Sequence, residues 1–200
     1  MDNIKNYIAD QNYQELVKFC EDLELELAVN PDPNITPEEF YGPFLFGYLF
    51  EDDLPSAKFL WKRIPENIKS SSKELNLIWN VVMALWKRDH EKFYENVNSN
   101  KWNHLFTPLI EQLAEKIRQS MINLISEAYS SILIDEFIKY VGLPKENALS
   151  IVEGQGWTID NSKNMLYPNK IAILNAHSIL SLSSDLILSK NNSSPNPHSL

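Results

Sequence analysis

The sequence is poor in the residues that build disulfides, metal sites and phosphate-binding loops. It has one cysteine, Cys20, and five glycines in 200 residues, too few for an intramolecular disulfide or a cysteine-based zinc site. None of the four histidines stands in a His-x-His or His-Glu-x-x-His motif. Gly154 and Gly156 form a Gly-x-Gly pair after a predicted helix, not between a strand and a helix. We therefore predict no catalytic residue, no metal and no cofactor.

Long hydrophobic runs and basic charge are also scarce. The longest uncharged stretches, residues 40–50 and 171–184, are shorter than the roughly 20 apolar residues of a membrane-spanning helix, and the N-terminus lacks the pattern of a secretory signal. The net charge is −9, and residues 1–60 carry three lysines against thirteen acids. No basic patch elsewhere is evident. This balance disfavours nucleic acid and membrane partners. With no catalytic or cofactor-binding residue in view, we also expect no small-molecule substrate.

The first two thirds of the chain have the spacing and caps of amphipathic helices. Apolar residues between Ile4 and Leu27 recur every three or four positions, which predicts two helices that meet near residues 10–12. Thr36, Pro37 and Glu39 form a capping box with proline at the first helical position. We expect a helix to begin there and Pro43 to kink or restart it.

Two predicted helical hairpins, at residues 44–64 and 71–97, follow each other at a spacing of 36 residues. At this offset Leu49–Asp53 aligns with Leu85–Asp89, and each segment has an aromatic residue three positions before a capping aspartate. Such a period is typical of tetratricopeptide-like stacks. Chance similarity between two capped hairpins is the alternative. In a stack, Trp61 and Trp86 are expected to pack between hairpins; their alternative role is as exposed anchors for a partner.

A different pattern follows the long helical segment at residues 105–128. Short β-branched or aromatic runs at residues 132–134, 157–159 and 164–167 flank two short predicted helices, and Gly142 stands where the first of these ends. The order strand, helix, turn, helix, strand, turn, strand is that of a winged helix. Residues 131–170 carry a net charge of −1, which disfavours DNA binding.

The edge of this predicted sheet is the candidate partner interface, because an unpaired strand can bond to another chain. The predicted interface residues are Trp157, Thr158, Ile159, Met165, Leu166 and Tyr167. The chain is thus mostly α-helical, with a helical-repeat part at residues 1–125 and a winged-helix subdomain at 126–170. A C-terminal segment at 171–188 and a polar tail at 189–200, expected to be disordered, complete it.

This arrangement resembles the PCI-domain family, whose members are subunits of the proteasome lid, the COP9 signalosome and translation initiation factor three. Several segments are most similar to the smallest, eighth subunit of the signalosome: Ala57–Pro65, Ile78-Trp79, Trp86–Asp89, Ala128–Ile132, Phe137, Val141–Pro144 and Gly156-Trp157. The resemblance covers about residues 10–170. The sequence differs from the family at residues 179–188. Here it has a short apolar segment before a polar tail, where the family has a terminal bundle helix.

The resemblance implies a non-catalytic scaffold in the complex that removes Nedd8 from cullin-RING ubiquitin ligases, in the cytoplasm and nucleus. It also implies other PCI subunits as partners, bound through the winged-helix edge and the C-terminal segment. Two alternatives remain open: a subunit of the proteasome lid or of initiation factor three, and a DNA-binding winged-helix protein.

Overall fold

The fold is mostly helical, as the sequence predicts. The computed structural model describes residues 2–30, 32 and 34–169. The helices are α1 (Asp2–Ala9), α2 (Tyr13–Val29), α3 (Pro37–Phe50), α4 (Leu54–Arg63), α5 (Glu66–Ser71), α6 (Lys73–Trp86), α7 (His90–Ser99), α8 (Thr107–Ala128), α9 (Ile134–Val141) and α10 (Lys145–Gly154). The strands are β1 (Ile132–Leu133), β2 (Thr158–Asp160) and β3 (Met165–Tyr167). The predicted segment 171–188, the tail 189–200, His177 and His198 lie outside the described residues.

The chain divides into two compact units. The described residues of Met1–Met121 and Lys139–Gly142 form unit 1, and those of Ile122–Ile138 and Leu143–Leu200 form unit 2. Within residues 2–169, none of the helices that the structure describes combines the length and apolar content that crossing a membrane requires.

Helix α3 is the centre of unit 1 and packs against α2, α4 and α6. Every residue from Gly42 to Leu49 is buried, because a helix that is apolar on all sides must be covered on all sides. Of the kink or restart expected at Pro43, the restart is wrong, since α3 runs as one helix from Pro37 to Phe50; the kink stays a prediction. Burial of the apolar side chains around Pro43 outweighs the backbone hydrogen bond that a proline cannot donate.

The caps and turns of unit 1 follow the sequence closely. Glu39 N–H donates to Thr36 Oγ1, which confirms the half of the capping box in which threonine caps the helix. The Glu39 carboxylate accepts from the Thr36 hydroxyl at 2.9 Å instead of from the Thr36 N–H that the full motif uses. Helix α6 begins one residue later than expected, with Ser72 instead of Ser71 as its cap. Ser71 is taken by α5, a helix of six residues that the sequence analysis did not predict.

One turn geometry joins three helix pairs, α1 to α2, α3 to α4 and α6 to α7. A residue with positive φ ends the first helix of each pair: Gln11 (54°), Asp52 (58°) and Arg88 (56°). The N–H of the next residue donates to a carbonyl oxygen five positions earlier, at 2.9 Å in each turn. This bond defines a Schellman motif. The 36-residue alignment is therefore confirmed at the turns around Asp53 and Asp89, and a third copy of the turn precedes them.

Each of these turns also caps the helix that follows it. The Asp89 carboxylate accepts a hydrogen bond from Lys92 N–H at 2.9 Å, which satisfies a donor that the first turn of α7 would otherwise leave open. We expect Asp89→Ala to lower the free energy of unfolding by about 1 kcal/mol, measured by urea denaturation. Asp89→Asn keeps an acceptor and is expected to cost less. Equal losses in the two variants would contradict a capping role.

Unit 2 contains a three-stranded antiparallel sheet in the order β1-β3-β2. Ile132 faces Leu166 across β1 and β3, and Ile159 faces Leu166 across β2 and β3. Helix α9 ends at Val141, in the short segment that belongs to unit 1. Gly142 follows it with a φ of +64°, as the sequence predicts for a left-handed C-cap. The side chains of Phe137 and Trp157 meet edge to face in the core of this unit, with 5.6 Å between ring centroids.

Candidate partner-binding surfaces

The strand order determines which predicted interface residues lie at a sheet edge. Strand β3 pairs with β1 on one side and β2 on the other. Met165, Leu166 and Tyr167 are therefore on the central strand, and among the described strands only β1 and β2 have an open side. The sequence analysis treated both strands of the hairpin as possible edges, because local sequence does not reveal the partner of β3.

At the β2 edge, the backbone of Ile159 is the part that faces outward. Ile134 N–H donates to the Asn164 carbonyl oxygen at 3.0 Å, and hydrogen-bonded pairs alternate along an antiparallel ladder. The N–H and C=O of Leu166 therefore point to β1, and those of its neighbours on β3 point to β2. On β2, Thr158 and Asp160 lie opposite those neighbours and form the hydrogen-bonded pairs. The N–H and C=O of Ile159 consequently point away from the sheet.

The side chains of the six predicted interface residues divide into buried and accessible groups. Those of Trp157 and Leu166 are buried and belong to the core of unit 2. The Thr158 side chain is exposed, and those of Ile159, Met165 and Tyr167 are partly exposed. An interface at this edge stays a prediction. Its direct contacts would use the open backbone and the four accessible side chains.

A second surface, on α4, α5 and α6 of unit 1, combines aromatic rings with lysines. The rings of Trp61 and Trp79 stack with centroids 4.7 Å apart and planes 3° apart. Lys58 Nζ lies 4.0 Å from the centroid of the Trp86 ring, and Lys69 Nζ lies 5.5 Å from that of Trp61. We call these five residues the tryptophan–lysine face.

The expected packing between stacked hairpins is confirmed for Trp61, which packs against the core and stacks on Trp79 of the second hairpin, but it is wrong for Trp86. The Trp86 side chain is 42% exposed, and that of Trp61 is only partly buried. Sequence spacing placed both on an apolar helix face, but α6 already buries the faces of Ile78 and Val82 in the core, which leaves Trp86 at the rim. Tryptophan exposed in this way is a feature of binding surfaces.

The charge around the tryptophan–lysine face differs from that of the chain. Residues 54–88 hold seven lysines and arginines and two glutamates, a net charge of +5. The chain as a whole carries −9, so the residues outside this segment carry a net charge of −14. The expectation of no basic patch is therefore wrong, because a charge count that divides the chain at residue 60 splits this segment.

The side chains of Cys20 and His90, residue types that can serve in catalysis, lie buried or half-buried among neighbours. Cys20 is fully buried, and desolvation, with smaller effects from Glu21 and Glu24, raises the pKa of its thiol to about 12. His90 is half-buried, and burial lowers the pKa of its imidazole. Its ring meets Tyr140 edge-on at 5.6 Å. In the described part of the chain, no group of three or more His, Cys, Asp or Glu residues could hold a metal ion.

Two acidic residues of α2, Glu21 and Glu24, are also hydrogen-bonded to neighbours in unit 1. The Tyr48 hydroxyl donates to Glu21 Oε1 at 2.8 Å, and the Arg63 guanidinium donates to both carboxylate oxygens of Glu24, at 2.7 and 3.3 Å. These contacts tie α2 to α3 and α4. The space beside Gly154 and Gly156 is open, since a Cβ built at either glycine meets no atom within 4 Å, so no close contact requires a glycine at these positions.

Comparison with known proteins gives a consistent family. The model of the CSN8/PSMD8/EIF3K family matches residues 35–176. "COP9 signalosome complex subunit 8" of Xenopus laevis is 37% identical over 159 residues, covering 80% of each chain. The proteins of that name from Dictyostelium discoideum and Arabidopsis thaliana are 32% and 28% identical, over 82% and 85% of this chain and 82% and 86% of their own lengths. The chain belongs to the CSN8/PSMD8/EIF3K family.

Proposed function

We propose that this protein is a non-catalytic scaffold subunit of the COP9 signalosome, the complex that deneddylates cullin-RING ubiquitin ligases. The observation that carries the proposal is similarity over about 80% of both chains to animal, amoebal and plant proteins that are each named subunit 8 of this complex. The family's description also covers proteasome and initiation-factor subunits. The similarity to signalosome proteins favours the signalosome over those two assemblies.

The architecture supports a PCI-type arrangement, which we propose in the following form. Unit 1 is a tetratricopeptide-like stack of helical hairpins, supported by the repeated turns at Asp53 and Asp89. Unit 2 is a winged helix, supported by the element order β1, α9, α10, β2, β3 and the strand order β1-β3-β2. Helix α10 carries Lys145 against Glu146 and Glu153, which suits a protein partner better than DNA.

The test of this function is affinity purification of the tagged full-length chain from its own cells, followed by mass spectrometry. We expect the other signalosome subunits at near-equal stoichiometry, in both cytoplasmic and nuclear extracts. We expect no isopeptidase activity and no stoichiometric zinc in the isolated chain. Recovery of proteasome-lid or initiation-factor subunits in their place would contradict the proposal.

We also propose that the β2 edge of unit 2 binds another subunit by strand addition. Ile159→Pro removes the outward N–H, and proline is tolerated in an edge strand where the donor faces away from the ladder. We expect a folded chain that recovers several-fold less of the other subunits. Ile159→Val keeps the donor and should assemble normally, whereas Met165→Pro, on the central strand, should disrupt unit 2 itself.

The measurement pairs co-purification with thermal melting by circular dichroism. Normal assembly by a folded Ile159→Pro variant would exclude the β2 edge. The next candidate would then be the C-terminal segment, residues 171–188.

A further inference from the structure

We propose that the tryptophan–lysine face of unit 1 is a docking site for an acidic segment of a partner protein, one in which aliphatic side chains alternate with carboxylates. The inference uses only α4, α5 and α6, none of the strands of unit 2, and does not depend on the proposed function. Its apolar part is larger than the five defining residues. Met83 lies between Trp79 and Trp86 on the same side of α6 and is partly exposed. Phe59, which is 60% exposed, lies outside this strip and lines a groove with Tyr48 and Glu21.

The apolar residues form a continuous strip. Trp79, Met83 and Trp86 are spaced by four and three positions, so they line one face of α6. Helix α4 packs beside α6 and adds Trp61, stacked on Trp79, at one end, while Lys58 covers Trp86 at the other. Contiguous exposed aromatic surface marks binding sites more often than isolated apolar residues do, and tryptophan is enriched among the residues that dominate binding energy.

Two lysines at this surface, Lys58 and Lys62, are open to a ligand, whereas Lys69 of the tryptophan–lysine face pairs with Glu66 at 3.6 Å. Among the described residues, Lys58 and Lys62 have no carboxylate partner, and their ammonium groups lie 4.0 Å and 5.5 Å from the ring centroids of Trp86 and Phe59. Lys18, Lys92 and Lys116 instead pair with Glu15, Glu95 and Asp52. A cation held over a ring keeps donors for an incoming anion. The segment's net charge of +5 would attract a negatively charged ligand.

The surroundings favour an acidic protein segment over a nucleic acid. Lys62 also lines an open groove, together with Phe59, Arg63, Tyr48, Ser56 and Glu21, so a carboxylate lies in the same groove as this lysine. The rest of the chain carries −14, which opposes a long polyphosphate. A short segment could place carboxylates on Lys58 and Lys62 and aliphatic side chains on the tryptophan rings.

A second copy of this chain offers the same chemistry and is the main competing occupant. Helix α2 exposes Asp22, Leu25, Glu26 and Val29 along one strip, with Leu25 and Val29 71% and 77% exposed. Two results together would overturn the proposal in favour of self-association. The chain would be mainly dimeric at the concentrations used for binding, with the dimer lost in Lys58→Glu, and it would bind no peptide.

The test uses the full chain and a synthetic peptide in which glutamates alternate with leucines. Tryptophan fluorescence reports binding directly, because Trp61, Trp79 and Trp86 lie at the site. We expect saturable binding that weakens about tenfold or more when every glutamate is replaced by glutamine. Absence of peptide binding would overturn the proposal, as would tighter binding of a single-stranded oligouridylate than of the peptide.

Matched variants locate the site. Lys58→Glu and Trp86→Ala should each weaken peptide binding about tenfold or more, and both side chains are accessible enough for the fold to persist, which circular dichroism melting checks. Lys145→Glu makes the same charge change on an exposed residue of unit 2 and should leave the affinity unchanged. Equal losses with Lys58→Glu and Lys145→Glu would show nonspecific charge attraction and overturn the proposal.

Discussion

Gly142→Ala is expected to lower the free energy of unfolding by about 2 to 5 kcal/mol, measured by urea denaturation. Gly142 has a φ of +64°, and a Cβ at this position would lie 2.0 Å from Cγ of Tyr94. The backbone conformation alone costs an L-residue roughly 1–2 kcal/mol. The overlap adds a cost typical of overpacking, about 1–3 kcal/mol, because the Tyr94 ring is itself buried and cannot swing into solvent.

Gly156 supplies the matched control for this prediction. Its φ is +70°, yet a Cβ there meets no atom within 4 Å, so Gly156→Ala should cost only the backbone term of roughly 1–2 kcal/mol. In a Tyr94→Ala background, Gly142→Ala should likewise fall to that smaller cost, because the overlapping ring is gone. Equal losses for Gly142→Ala and Gly156→Ala would show that contact with Tyr94 is unimportant.

Phe137→Ala is expected to destabilise unit 2 by about 3 to 5 kcal/mol, the range for removing a buried aromatic side chain. Phe137 is fully buried and packs edge to face on Trp157. In the described part of unit 2 the other buried hydrophobic residues are few, so little remains there to fill the cavity: Ile122, Ile125, Ile132, Ile134, Ala148, Val152 and Leu166.

Hydrogen exchange resolved by mass spectrometry measures this effect separately in the two units. We expect faster exchange at residues 158–167 and unchanged exchange at residues 37–86, where α3, α4 and α6 have their own core. Phe137→Leu retains most of the volume and should give a smaller change. Unchanged protection of β2 and β3 in the alanine variant would show that Phe137 does not hold the sheet.

The sequence by itself determined the features that depend on local chemistry. The Thr36 N-cap, the aspartate caps at Asp53 and Asp89 and the left-handed C-cap at Gly142 could all be predicted, because each involves backbone groups within a few residues. The resemblance that points to the family was also present in short segments such as Ala57–Pro65. The start of α6 was predicted one residue too early, because Ser71 and Ser72 are equally suited in sequence to cap it.

Only the tertiary structure decided which surfaces are open to partners. Whether Met165 or Ile159 lies at a sheet edge depends on the pairing of β3 with β1, 32 or more residues earlier in the chain. The exposure of Trp86 and the contact of its ring with Lys58 depend on how α4 packs beside α6. Helical spacing identifies an apolar face but not which of its members a neighbouring helix will cover. The caps could therefore be predicted from the sequence, whereas the candidate binding surfaces could be identified only from the way the helices and strands pack.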